Sequence, residues 1–484
     1  MQGFQCASPE FTTAKLALKN KEYTKAEGYF EKEVKKNPQN AEAWMYLAET
    51  RLYLRKYIES NEAAKKAIEY AGKNLKIQLQ AQNLRSKLWR DVYSRLIINL
   101  NKYAKTKNDT IGQLAIQNAD VGLKLAPYIF DFYNLRGYIY QLMGNKKSSI
   151  ADYQKYYNEI LPSINFAKEH NLFIDIPLDK VIKNLGKPSL MSGTKQQNGD
   201  SLVFAVFNVD KKDLYVKAVS DGNIFKVKTW RYNPPAEMLE ADKLLVFDLS
   251  SDPIVELIQY YYNKKEYPKA LQYLKGLLIL KPNDEQINNF MVTLYTDMGK
   301  KDEATKRLEK LIKADPNNKS FRLSYGNLLM QMKRYDDAIV QYKKSLQIDP
   351  NYYDAMRNLA SAYKNKAYVI QKRQIDEAKG DATKMKPDEY LPFLKLSGAN
   401  FEKCRKTPKY ANDINVLFDL VDIYFVTKNQ DKLKRIVAEL EAIETLVPKE
   451  QLENYYLGMV KIFDQRLPNE VKFEKYQKKA QSLK

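Results

Sequence analysis

The residue types from which catalytic and metal sites are built are scarce in this chain. Its 484 residues include one histidine, His170, and two cysteines, Cys6 and Cys404. One histidine cannot supply a two-histidine zinc helix or a histidine cluster within one chain. The sequence also has no glycine-rich phosphate loop, nucleophile elbow or kinase signature. We therefore expect a non-enzymatic protein without a cofactor or a catalytic metal, with Cys404 as a buried or half-buried structural thiol.

Cys6 suggests a different chemistry, the attachment of a lipid. It lies just before the first helical pattern, which begins near Thr12. A cysteine followed by a short polar tether resembles the lipid-bearing N-terminal cysteine of bacterial lipoproteins, although Gln5 stands where that motif has a small residue. The chain as written has no signal peptide and no apolar run long enough to span a membrane. The sequence thus predicts the bacterial cell envelope if Cys6 is lipidated and the cytoplasm otherwise.

The elements that would position any site follow a repeat. Pro282, Pro316 and Pro350 succeed one another at intervals of 34 residues. An alanine precedes each proline by 12 residues, at Ala270, Ala304 and Ala338. Within each 34-residue unit the apolar residues follow two helical stripes separated by a short break, and the proline follows the second stripe. A fixed period of this length indicates one helix–turn–helix unit used repeatedly.

This pattern resembles the tetratricopeptide repeat (TPR) family, whose consensus is Trp-x2-Leu-Gly-x2-Tyr, then Ala-x3-Phe, then Pro. Similar units surround Trp44, Ala26 and Gly137, the last expected to end near Pro162, and weaker ones begin at Met356 and Leu420. The resemblance covers roughly two-thirds of the chain. It implies a mostly α, right-handed TPR-type α-solenoid in two arrays, each with a concave binding face.

Several stretches depart from the repeat. Alternating apolar residues and an Asp-Gly turn predict a small antiparallel sheet over 198–250, with strands near Leu202–Phe207, Leu214–Val219, Ile224–Trp230 and Lys243–Asp248. It would cap a helical array or, through Trp230, Arg231 and Tyr232, form part of a binding site. The predicted domains are an N-terminal array over 7–190, the sheet over 198–250, a C-terminal array over 251–448 with a helical extension at 364–386, and capping helices over 449–484.

The net charge of +21 favours an acidic partner. Residues 73–107 read as one long helix that carries a basic stripe, with Lys76, Lys87, Arg90, Arg95 and Lys102 among its cations. One hypothesis is therefore a nucleic-acid-binding solenoid, although no RNA-binding signature is present. A second alternative is an envelope structural lipoprotein that assembles with copies of itself.

The interpretation that we favour is a scaffold that binds proteins or peptides on its concave surfaces. The residues expected to contact a partner lie on first helices: Asn288, Arg322, Tyr325, Asn327, Met356 and Asn358. Asn327 and Asn358 match the asparagines of the carboxylate clamp that some TPR domains use to grip a peptide C-terminus. Leu323 replaces the lysine of that clamp, and the 364–386 interruption removes its basic pair. The sequence names neither the partner nor the oligomeric state.

Overall fold

The computed structural model describes residues 8–195, 201–220, 224–235, 238, 242, 249–379 and 381–483. The chain divides into two compact units, Met1–Ile287 and Asn288–Lys484. Most described residues are helical, and one small antiparallel sheet lies within the first unit. The mostly helical repeat fold with a small β insertion is therefore confirmed.

Most helices of the first unit pack against the next helix in the chain. Before the sheet they are α1 Pro9–Lys19, α2 Tyr23–Lys36, α3 Ala41–Tyr53, α4 Tyr57–Tyr70, α5 Leu75–Thr106, α6 Asp109–Leu125, α7 Asp131–Leu142, α8 Lys146–His170 and α9 Leu178–Leu185. After the sheet come α10 Asp252–Asn263 and α11 Tyr267–Leu280, which pack against α8. Helices α10 and α11 form the repeat at the start of the C-terminal array predicted over 251–448, yet they belong to the first compact unit. The predicted domain bounds therefore stay a prediction.

The second unit continues the pairing. Its helices are α12 Glu285–Asp297, within which the unit boundary falls, α13 Lys301–Ala314, α14 Lys319–Gln331, α15 Tyr335–Ile348, α16 Tyr353–Ala378, α17 Pro387–Cys404, α18 Ile414–Val426, α19 Gln430–Ala442, α20 Leu452–Lys461 and α21 Glu470–Gln481. A short helical turn, Pro408–Ala411, precedes α18. The last two helices occupy the segment predicted to be helical at the C-terminus.

The 34-residue period has a simple physical basis. Ala270, Ala304 and Ala338 are completely buried, because a larger side chain there would separate the two helices of the repeat. The turn within each repeat needs one residue with left-handed backbone, which is Lys265 at φ 59°, Gly299 at φ 72° and Lys333 at φ 60°. The proline follows two residues after the second helix has ended, as the sequence predicts.

Two long helices modify the repeat. Helix α5 is the continuous helix predicted over 73–107; Asn74 caps its N-terminus, and Lys107 ends it in the left-handed conformation. A repeat was expected to end near Pro162, but the helix does not end there, because α8 passes through this proline and continues to His170. Burial of Ile160, Ser163 and Ile164 around it stabilises the helix despite the hydrogen bond that proline cannot donate.

The sheet has the strand order β1-β2-β3-β4 and is antiparallel throughout. Its strands are β1 Leu190–Lys195, β2 Ser201–Val209, β3 Lys212–Ser220 and β4 Phe225–Tyr232. The predicted hairpin of β3 and β4 is confirmed, whereas β1 lies before the predicted start of the sheet. The strand predicted over 243–248 and the turn over 221–223 lie outside the described residues.

The aromatic end of β4 holds the sheet against α8. The Trp230 side chain is buried, and its Nε1 donates to the Ser163 carbonyl oxygen at 3.0 Å. The Tyr232 amide donates to Ser163 Oγ at 3.2 Å. Arg231 is also buried and donates to the Tyr128 carbonyl oxygen at 2.7 Å. These three residues therefore form packing contacts within the first unit.

Candidate partner-binding surface

A row of half-buried polar side chains joins the first helices of three successive repeats in the second unit. Between α12 and α14, Ser324 Oγ donates to Asn289 Oδ1 at 2.7 Å, and Asn289 Nδ2 donates to Ser320 Oγ at 3.2 Å. Between α14 and α16, Asn358 Nδ2 donates to Asn327 Oδ1 at 2.7 Å. We call Asn289, Ser320, Ser324, Asn327 and Asn358 the amide row. It contains the two asparagines expected from the clamp resemblance.

The Asn327–Asn358 pair leaves two polar atoms available. Tyr342 OH donates to Asn327 Oδ1 at 2.8 Å, so this oxygen accepts from both Tyr342 and Asn358 and its two lone pairs are used. Asn327 Nδ2 and Asn358 Oδ1 have no partner among the described residues and are not among the buried unpaired atoms, so both are accessible to solvent. A donor and an acceptor placed this way match the N–H and C=O of a peptide backbone.

Two other residues expected to contact a partner lie inside their repeats. Asn288 is completely buried, and Arg307 of α13 donates to its Oδ1. The next repeat has the same pair with the donor exchanged: Arg322 of α14 donates to Gln341 Oε1 of α15 at 3.2 Å. Each pair joins residues 19 positions apart and ties a first helix to its second helix. Asn288 therefore has no exposed surface that a partner could contact, whereas Arg322 is half-buried.

Met356 and Tyr325 also take part in packing. Met356 is buried in the hydrophobic core that extends from α16 to α21. Tyr325 is half-buried, and its hydroxyl donates to Glu309 Oε1 at 3.0 Å. Burial and the neighbouring Glu309 carboxylate raise the pKa of Tyr325, so its hydroxyl stays protonated and able to donate. Because Tyr325 is only half-buried, part of its side chain is accessible to a partner.

The cations near the clamp asparagines already have acidic partners. Lys364 forms an ion pair with Asp419, and Arg357 lies 3.9 Å from Asp413. Burial raises the pKa of Asp419 even though Lys364 acts in the opposite direction. The position of the clamp lysine is Leu323, which packs against the core of its repeat. The two cations that flank Asn358 on α16, Arg357 and Lys364, are therefore already paired with acids.

The first unit contains a groove between α3 and α5, with a volume of 520 Å³. Met45, Ile77 and Leu84 supply its apolar surface, and Glu42 and Glu49 lie on the α3 side. The α5 side carries Lys76, Gln80, Asn83 and Lys87, which recur every three or four residues and so share one helix face. This groove brings two residues of the predicted basic stripe to a concave surface.

The rest of the basic stripe is partly neutralised. Arg90 forms an ion pair with the buried Asp242 at 3.2 Å, and Arg95 pairs with Asp91 at 2.9 Å. Lys102 is exposed on the second half of α5. The five cations thus have different surroundings, two in ion pairs, two at the groove and one in solvent. Sequence reasoning missed Asp242 because it is distant in sequence from α5.

The residues considered for covalent chemistry are not grouped. Cys404 is buried, and burial raises the pKa of its thiol to about 12. His170 ends α8, where its Nδ1 lies 3.0 Å from the Phe166 carbonyl oxygen. Cys6 lies outside the described residues. Across the described ranges, no three His, Cys, Asp or Glu side chains are placed to hold a metal ion, and no helix is both long and apolar enough to cross a membrane.

Four family models match separate stretches of the chain. Three are described as tetratricopeptide repeat and match residues 11–72, 130–158 and 261–328. The fourth, described as TPR repeat, matches residues 326–366. These matches include both asparagines of the solvent-facing pair. A comparison with curated proteins found no match.

Several solved structures resemble the chain at low identity. A monomeric mutant of IFIT1 solved with m7Gppp-AAAA shares 11% identity over 92% of this chain and 78% of its own, with a TM-score of 0.39. MamA protein shares 13% identity over 45% of this chain and 97% of its own, with a TM-score of 0.29. PilF of Pseudomonas aeruginosa shares 13% identity over 47% of this chain and 96% of its own, with a TM-score of 0.30. The repeat register, the helical pairs and the family matches agree, and the chain belongs to the tetratricopeptide repeat family.

Proposed function

We propose that this protein is a non-catalytic scaffold that binds an extended segment of a partner protein along the amide row. Proteins built from these repeats generally act as interaction scaffolds, and that general role applies to this chain. The specific proposal concerns the surface and the form of the ligand. Side-chain amides on the first helices α12, α14 and α16 would form hydrogen bonds with the backbone of a bound peptide.

The observation that supports this proposal is the hydrogen bond between Asn358 and Asn327. It fixes the orientation of both amides, because Tyr342 and Asn358 occupy the two lone pairs of Asn327 Oδ1. Asn327 Nδ2 is consequently held toward solvent as a donor, and Asn358 Oδ1 as an acceptor. A fixed donor and acceptor lose little side-chain entropy when a peptide binds, which favours affinity.

A peptide selection tests the proposal. The full chain would be screened against a displayed library of random peptides, and the affinities of enriched peptides would be measured for the original protein and for the variants Asn327→Ala and Asn358→Ala. Because each variant removes one hydrogen bond to the ligand, we expect affinity to fall by about five-fold, corresponding to ~1 kcal/mol.

Asn351→Ala is the matched control, since Asn351 is exposed in the turn before α16 and lies outside the amide row. It should leave the affinity unchanged. Circular dichroism of each variant would confirm that the helices remain folded. Peptides that bind the Asn327 and Asn358 variants as tightly as the original protein would show that the amide row is not the binding surface.

A further inference from the structure

Helix α16 extends far beyond the length of the other first helices in its unit. It has 26 residues, whereas α12 and α14 have 13 each. Its second half is held by α17 and the loop before it: Gln374 Nε2 donates to the Lys386 carbonyl oxygen at 3.2 Å, and the Lys386 amide donates to Gln374 Oε1 at 3.0 Å. Gln374 is buried, so the extension is an ordered part of the second unit.

The opposite face of this extension exposes large apolar side chains. Tyr368 is 64% exposed, Val369 51% and Ile375 54%. Tyr368 and Val369 face Tyr335, the first residue of α15, across a groove of 600 Å³. We call this the extension groove, defined by Tyr335, Tyr368 and Val369 with Lys333 and Lys372 beside them. Clustered apolar exposure of this kind marks an interaction site more often than scattered single residues do.

The charges around the groove leave an excess of cations. Lys366 pairs with Asp336, Arg334 with Asp337, and Arg373 with both Glu389 and Glu377, a second acid that lines the groove. Lys333 and Lys372 have no ion-pair partner within the described part of the chain, and one acid at the groove, Asp376, is likewise without one. The groove therefore offers aromatic and aliphatic contacts between two lysines that belong to different elements.

We propose that the extension groove docks an acidic, amphipathic segment of a partner protein. An apolar side chain of this segment would lie between Tyr335 and Tyr368, and its carboxylates would face Lys333 and Lys372. Lysines beside an apolar contact favour an acidic ligand and raise its rate of association. The inference rests on the scaffold function proposed above, but the groove and the amide row use different residues.

A second copy of the chain fits this groove less well. A two-fold symmetric contact through the groove would place Lys333 and Lys372 near the same residues of the other copy, because such an interface uses one patch twice. Like charges brought together in this way oppose association. An acidic segment from another protein has no such penalty.

The test uses peptides enriched from the random library on the full chain. We expect a class of peptides that combine Asp or Glu with aromatic or aliphatic residues and that bind this groove. For these, Tyr368→Ala and Lys372→Glu should each lower affinity by about ten-fold, because both remove central contacts. Tyr138→Ala and Lys478→Glu are matched controls at exposed positions and should have no effect.

The amide-row variants separate this inference from the proposed function. Peptides of the groove class should bind Asn327→Ala and Asn358→Ala normally. The inference is overturned if no enriched peptide responds to Tyr368→Ala or Lys372→Glu, or if those that respond are basic. It is also overturned if sedimentation velocity shows a dimer that Tyr368→Ala dissociates, since the groove would then hold a second copy.

Discussion

The ring of Tyr342 fills the space beside Gly326, so that a Cβ atom on this glycine would overlap the ring. The two residues are 16 positions apart, on the first and second helices of one repeat. Gly137 and Tyr153 in the first unit have the same spacing and the same contact, with a hypothetical Cβ on Gly137 lying 2.7 Å from Tyr153 Cε1. Glycine on one helix therefore allows a large aromatic ring on the other.

This contact predicts that Gly326→Ala is destabilising. Alanine is ordinarily favoured over glycine within a helix by about 1 kcal/mol, but the added methyl group would force the buried Tyr342 ring to move, at a cost of about 1–3 kcal/mol. We expect a net loss of about 1 kcal/mol, measured as faster hydrogen exchange in α14 and α15. Gly28→Ala is the control, because nothing lies within 4 Å of a Cβ there, and it should be neutral or stabilising.

The pairing itself can be tested with a double-mutant cycle. Tyr342→Leu reproduces the leucine that occupies the corresponding positions Leu274 and Leu308 in the two preceding repeats. If the ring is the obstacle, Gly326→Ala should cost less in the Tyr342→Leu background than in the original protein. Equal costs in the two backgrounds would mean that the contact does not limit packing.

The repeat architecture was predictable because its signals are local. The proline interval, the buried alanines and the breaks between helices all lie within one repeat, so the sequence pattern determines them. The continuation of α8 through Pro162 was not predictable, since it depends on packing around that residue. The strand β1 was also missed, because its Ser192-Gly193-Thr194 centre lacks the alternation of β2.

The candidate surface was predictable only in part. Asn327 and Asn358 were identified from their places in the repeat, and the structure brings them into contact. Asn288 and Met356 were expected to contact a partner for the same reason, yet both are buried, because they occupy the helix face that packs against neighbouring helices. The apolar face of the extension groove required knowing which side of α16 packs on α17.

Asp242 gives a prediction for the first unit. Its carboxylate is fully buried and accepts hydrogen bonds from Trp89 Nε1 at 3.0 Å and Tyr128 OH at 2.9 Å, and also from Ser86 Oγ. Asp242→Ala would leave these buried donors without this acceptor, so we expect a loss of about 1–3 kcal/mol. Hydrogen exchange in α5 would measure it.

Two variants define the role of Asp242. Asp242→Asn keeps one oxygen acceptor and should cost less than Asp242→Ala. Glu159→Ala removes an exposed carboxylate from α8 and should leave exchange in α5 unchanged. If Asp242→Ala also leaves exchange in α5 unchanged, the carboxylate does not stabilise this helix.

Glu33 predicts a pH dependence of stability. Burial alone would raise the pKa of this carboxyl, but hydrogen bonds donated by Ser8, Asn37 and Asn40 outweigh it and hold the pKa below the usual value. The Asn37 and Asn40 bonds to Oε1 measure 3.0 and 2.8 Å. Because the folded-state pKa is depressed, the stabilisation is fully present above the unfolded-state value of about 4.3 and is lost as the pH falls through the folded-state value.

Glu33→Gln should therefore destabilise the first repeats by about 1–3 kcal/mol at neutral pH, because an amide cannot accept at both of its terminal atoms. The difference from the original protein should shrink as the pH is lowered below about 4. Hydrogen exchange in α2 and α3 at several pH values would measure it. Glu62→Gln, at a carboxylate 61% exposed, should show neither effect. A difference that is constant from pH 7 to the acid limit would mean that the charge of Glu33 does not contribute.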